Sequence, residues 1–159
     1  MKTGWCIIVV LAGVALDLAA KAWARASLEP YGSAVDFLPF ISLRLTFNEG
    51  VSFSLLSFDH DGRRLALLAF TGLLTLGLAI WAYRIPHGGE RLALSVIIAG
   101  ALANFLDRAV NSAVTDYLDL HFGDWHPFVF NLADVWISVG AFLLIVLQVF
   151  AREERRYAA

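Results

Sequence analysis

Ionisable and amide side chains stand inside apolar stretches of this chain at spacings that let them meet. Asp17 and Lys21 are four apart, Asn104, Asp107 and Arg108 follow an i, i+3, i+4 pattern, and Asn131 precedes Asp134 by three. On a helix, each set shares one face. Asp116 lies between the second and third sets. A charge within a spanning segment costs roughly 2.5–3.5 kcal/mol on insertion scales, so such groups are paired or functional. Pairing accounts for Asp17 with Lys21, and for Asp107 with Arg108 or a neighbour. It does not account for Asp116 and Asp134. Only Arg108 remains to serve either, so at least one carboxyl lacks a cation. Two carboxyls close together in low dielectric do not both ionise easily. One proton is then shared, and the pair can act as acid and base.

Other chemistries are weaker in this sequence. Asp119, His121, Asp124 and His126 form a cluster of metal-ligand types. The two histidines are five apart, which suits no single helix face, so the expectation is a solvated acidic loop with no metal and no cofactor. No serine–histidine–aspartate arrangement competes. The single cysteine, Cys6, allows no intramolecular disulfide and reads as a small packing residue. Tyr117 and Trp125 are expected at headgroup level, where amphipathic rings are favoured.

These groups must be positioned by membrane helices. Of 159 residues, 59% are hydrophobic and 16% charged, against roughly 45–50% and about 25% in soluble domains. Net charge is −2, with no basic patch to suggest nucleic acid. The apolar excess gathers into four runs, about 4–26, 65–83, 92–109 and 132–150, each near the roughly 20 residues a spanning helix needs. Lys2 and the small-x-small pattern Ala24-Arg25-Ala26 give the first run the look of a secretory signal peptide. Asp17 and Lys21 interrupt it, however, and it exceeds an h-region, so it is expected to be retained. The expected fold is therefore an α-helical polytopic membrane protein, residues 1–159 forming one domain, with outer segments 27–64 and 110–131.

Lys2, Arg84, Arg91, Arg152, Arg155 and Arg156 flank alternate ends of the runs, whereas 110–131 has no Lys or Arg and 27–64 balances its arginines with five acids. Both termini are thus expected in the cytoplasm. Within 27–64, Ile41, Leu43, Leu45 and Phe47 alternate with Ser42, Arg44, Thr46 and Asn48. Period two marks a half-buried strand. Asn48-Glu49-Gly50 reads as a turn, after which Val51-Ser52-Phe53-Ser54-Leu55 resumes the alternation as a small hairpin on the membrane surface.

With this orientation, all the embedded polar groups fall in one layer near the outer face. A proton-coupled carrier, with carboxyls as a relay, remains an alternative, but carrier sites lie near the midplane. A scaffold subunit, lacking chemistry of its own, is a third reading.

Asp17-x-x-x-Lys21, Asn48-Glu49-Gly50-Val51-Ser52-Phe53, Asn104-Phe105-Leu106-Asp107-Arg108, Val114-Thr115-Asp116-Tyr117 and Phe130-Asn131-Leu132-Ala133-Asp134 occur in this order. Together they resemble the bacterial lipoprotein signal peptidase family, signal peptidase II, over nearly the whole chain. The resemblance implies an intramembrane aspartyl protease with Asp116 and Asp134 as its catalytic pair. Support is implied from Asn48, Gly50, Phe53, Asn104, Asp107, Arg108, Asn131, Asp17 and Lys21. It further implies diacylglyceryl-prolipoprotein substrates cut before the lipidated cysteine, and a monomer among membrane lipids in the bacterial inner membrane. Ala99 and Ala103 stand where the family favours glycine, with Gly100 kept between them; neither change removes a reacting group.

Overall fold

In lipid, backbone amides must bond within the chain, so apolar runs of this length become helices. The computed structural model describes residues 3–50 and 60–157. Four helices dominate: α1 (Thr3–Ser27), α2 (His60–Arg84), α3 (Gly88–Asn111) and α4 (Leu132–Tyr157). Their candidate spans are Gly4–Ser27, Arg64–Arg84, Gly88–Asn111 and Leu132–Phe150. α4 continues past the apolar limit at 150 because Ala, Arg and Glu sustain a helix as well as leucine does.

α3 is the hub. Of its most apolar stretch 56% is buried, against at most 22% in the other helices, and it packs on α1, α2 and α4. Small residues make the approach possible. A Cβ on Gly100 would collide with the carbonyl oxygen of Ala133 on α4, and one on Gly140 would sit 2.8 Å from the carbonyl of Ala93 on α3. On the α1 side, the methyl of Ala99 occupies space left by Gly13, whose own Cβ would meet it at 2.8 Å. The alanine at position 99 is thus accommodated by a glycine on the facing helix.

A four-stranded antiparallel sheet of order β1-β2-β3-β4 caps one end of the helices. The alternating segment forms β2 (Ile41–Asn48), and Gly50 follows it at φ +78° with its N–H donated to Asn48 Oδ1. β1 (Val35–Leu38), which precedes β2, pairs with it antiparallel; the expected resumption of the alternation over Val51–Leu55, with Phe53, lies outside the described residues. One expectation needs correction. The stretch expected as a solvated acidic loop is instead a second hairpin, β3 (Val114–Phe122) and β4 (Trp125–Phe130). Its pattern escaped detection because both faces of β3 carry buried residues, which erases the polar–apolar alternation. Pro127 is tolerated in β4 because β4 is the sheet edge, where a missing N–H is harmless. β2 and β3 pair across two intervening helices, bringing Thr46 opposite Asp116. The sheet is seated on α1 by a small core of Ala24, Leu45 and Tyr117.

Candidate active site

The start of α4 sets the geometry. Asn131, immediately before the helix, accepts the N–H of Asp134 at Oδ1 (3.1 Å), while Asp134 Oδ2 accepts the N–H of Asn131 (3.1 Å). This reciprocal capping satisfies donors that a helix start leaves open, and it holds the Asp134 carboxylate against the first turn. The other end of the Asn131 amide is turned to the sheet: Nδ2 donates to Asp116 Oδ1 at 2.6 Å. One fully buried amide therefore braces both carboxyls.

A second amide ties this pair to the helices. Asn104 on α3 donates from Nδ2 to Asp134 Oδ1 (2.9 Å) and accepts Lys21 Nζ at Oδ1 (2.6 Å). Lys21 is also 2.8 Å from Asp17 Oδ2, one turn earlier on α1. Asp17 Oδ1 in turn accepts the N–H of Ala133 in the first turn of α4 (2.7 Å). Asp107 accepts Arg25 Nη1 (2.9 Å) and the backbone N–H of Thr115 (2.7 Å). That last bond anchors the residue before Asp116, so Asp107 acts on the site by fixing the start of β3. Asp17, Lys21 and Asp107 are each at most 1% exposed; charges so deep persist only when paired and hydrogen-bonded.

Asp116 and Asp134 both line a cavity of about 210 Å³, with Asn48, Asn104, Arg108 and Thr71 among its other walls. Burial pushes the Asp116 carboxyl up to about 6; the Asn131 and Asn48 amides favour its ionised form, and the neighbouring Asp134 charge opposes it. Arg108 is buried and senses Asp116, Asp107 and Asp134. Among the described residues, the carboxyls of Asp17, Asp107, Asp116 and Asp134 meet Lys21, Arg25 and Arg108 in this layer, and Arg64 is held nearby on the Ala109 carbonyl.

The structure brings Asp17, Lys21, Asn48, Asn104, Asp107, Arg108, Asp116, Asn131 and Asp134 into one connected site. Gly50 lies at its edge, where a Cβ would strike Leu67 of α2. Three readings change. Asp107 pairs with Arg25 and lies 3.6 Å from Lys21, so Arg25 belongs to the supporting layer; its place one turn beyond Lys21 was the available signal. Asp119, expected in solvent, is fully buried and receives His126 Nδ1 at 3.0 Å, with Arg44 at 3.7 Å. Tyr117, expected among the headgroups, is 5% exposed and packs in the core beneath the sheet. Trp125 remains exposed. Among the described residues, no group of three or more His, Cys, Asp or Glu side chains converges as a metal site would require.

The family described as Signal peptidase (SPase) II matches residues 9–150. A lipoprotein signal peptidase of Hydrogenovibrio crunogenus is 35% identical over 150 residues, covering 93% of this chain and 85% of the relative. One from Brucella ovis is 36% identical over 152 residues, covering 94% and 92%. A solved structure of a bacterial membrane enzyme, obtained by the in meso method at 1.9 Å, superposes with a TM-score of 0.80 at 23% identity, covering 91% of this chain and 92% of the other, and so shares the fold. A family match running from the first helix into the fourth, together with relatives aligned along nearly the full length, makes this chain a member of the signal peptidase II family, and hence a peptidase.

Proposed function

We propose that the chain removes the signal peptide from prolipoproteins whose lipobox cysteine carries diacylglycerol, cutting the peptide bond before that cysteine with Asp116 and Asp134 as the catalytic pair. The observation that carries this reading is the Asn131 amide bracing both carboxyls at one cavity. One aspartate, ionised, takes a proton from a water whose oxygen attacks the scissile carbonyl carbon. The other, protonated, donates a hydrogen bond to the carbonyl oxygen as negative charge develops there. The C–N bond then breaks, and the leaving amine takes up a proton. Arg108, close to both acids, favours the singly protonated pair over the neutral one. No metal and no covalent intermediate are needed.

The polar layer lies toward one end of α1, α3 and α4, at Lys21, Asp107 and Asp134, rather than halfway along them. That depth suits a substrate helix with its scissile bond at the membrane surface and does not suit a midplane carrier. The whole chain acts as one monomeric domain in the inner membrane, with the site at the outer face and both termini in the cytoplasm. The β1–β2 and β3–β4 hairpins, together with the Gly50 turn and Phe53, clasp the substrate as it enters from the lipid.

The test is cleavage of a diacylglyceryl-prolipoprotein in detergent, normalised to folded enzyme. Asp116→Asn and Asp134→Asn each preserve shape but cannot accept or cycle a proton, and each is expected to lower turnover by at least about 10²–10⁴-fold. Near-normal turnover in either variant would refute the aspartyl assignment.

A further inference from the structure

A larger cavity lies at the opposite end of the helices, away from the dyad. It measures about 600 Å³, within the usual range of small-ligand sites. Cys6 and Val10 of α1, Ala79 and Ala82 of α2, and Ile98 of α3 give it apolar walls. It exists because α1 and α2 both pack on α3 while making little contact with each other. Arg91 stands in this cavity two turns from Ile98, so the groove is about 10 Å long by helical rise. The Arg91 guanidinium donates Nη2 to the carbonyl of Ile85 (2.6 Å), while its Nε is buried with no partner among the described residues. Arg84 closes α2 on the same side.

We propose that this groove binds one anionic phospholipid, with an acyl chain along the apolar walls and the headgroup phosphate on Arg91. An apolar slot between spanning helices, with a basic residue at its headgroup end, has the chemistry of an anionic-lipid site. A zwitterionic lipid fills the walls equally well but leaves the positive charge less compensated. The signal peptide of a substrate is the wrong occupant, because its positively charged leading region would meet Arg91 with like charge. The site is remote from Asp116 and Asp134, so the lipid stabilises the helix arrangement and takes no part in cleavage.

The full-length protein is extracted from vesicles of equal phosphatidylglycerol and phosphatidylethanolamine, and the lipid retained is read by native mass spectrometry. Retention of one phosphatidylglycerol in preference is expected. Arg91→Gln should reduce that preference about fivefold. Because Arg91 also holds the α2–α3 turn, a second variant is needed. Ala79→Trp fills the groove from an exposed position on α2 and should remove bound lipid of either kind. Both variants should cleave substrate normally in detergent. Equal retention of the two lipids by the unaltered protein would overturn the proposal. So would retention unchanged by either substitution, or a thiol crosslinker on Cys6 capturing a substrate signal peptide or a second copy of the chain.

Discussion

Burial of Asp116 opposes folding at neutral pH, a cost that fits the chemistry proposed for it. Its carboxyl is 4% exposed and pushed up to about 6, from an unfolded value near 3.8. Folding therefore favours the protonated form: the contribution is intact below about pH 4 and is lost as pH rises through about 6. Asp116→Asn is expected to raise thermal stability at pH 7.5, by about 1–3 kcal/mol, and the gain should vanish near pH 4. Thermal unfolding of both proteins across that range checks the sign; a variant less stable at pH 7.5 would contradict it. Asn131 separates two roles in one side chain. Asn131→Ala should cost about 1 kcal/mol through loss of the α4 cap. Asn131→Ser keeps a capping oxygen but has no amide to donate to Asp116, so stability should largely return while cleavage stays at least about tenfold low. Since the lost bond favours ionised Asp116, the acid limb of the pH–rate profile should move upward in the serine variant. A profile identical to that of the unaltered protein would leave Asn131 a cap and nothing more.

The α3–α4 contact decides whether Asn104 reaches Asp134. Gly100 lies one turn before Asn104 and meets the backbone of Ala133, the neighbour of Asp134. A methyl group there must push the start of α4 away. Gly100→Ala is therefore expected to destabilise by about 1–3 kcal/mol and to reduce turnover per folded molecule, because the dyad brace moves with α4. Melting temperature and normalised cleavage test the two effects together; an unchanged enzyme would show that α4 has room to spare. The four spans were readable because lipid demands long apolar runs, and β2 was readable because apolar and polar residue types alternate along it, although its burial does not follow that alternation. β3 and β4 were not, since burial on both faces of β3 and a proline in an edge strand hide the strand period.

For the molecule as a whole, the polar layer and the basic ends lie at opposite extremes of the helices. The Lys/Arg distribution is the basis for proposing that both termini face the cytoplasm. Reporters fused after Tyr157 and inserted within 57–63 should be active on opposite sides of the membrane. A tail reporter active only outside would invert the orientation and, with it, the depth at which a substrate meets Asp116 and Asp134.

Sequence spacing was enough to collect Asp17 with Lys21, Asn104 with Asp107 and Arg108, and Asn131 with Asp134. Helical periodicity is a local property, and an unpaired acid in an apolar run is costly wherever the run packs. Cation counting also isolated Asp116 and Asp134 as carboxyls in excess. Pairing between elements was a different matter. That Arg25 takes Asp107, that Asn104 links Lys21 to Asp134, and that Asp119 is buried under Arg44 and His126 all depend on how α1, α3, α4 and the sheet dock. These contacts join residues far apart in the chain, through orientations that no periodicity encodes. The brace itself depends on both levels: the cap of α4 follows from three adjacent positions, but its bond to Asp116 exists only because β2 and β3 pair across two helices.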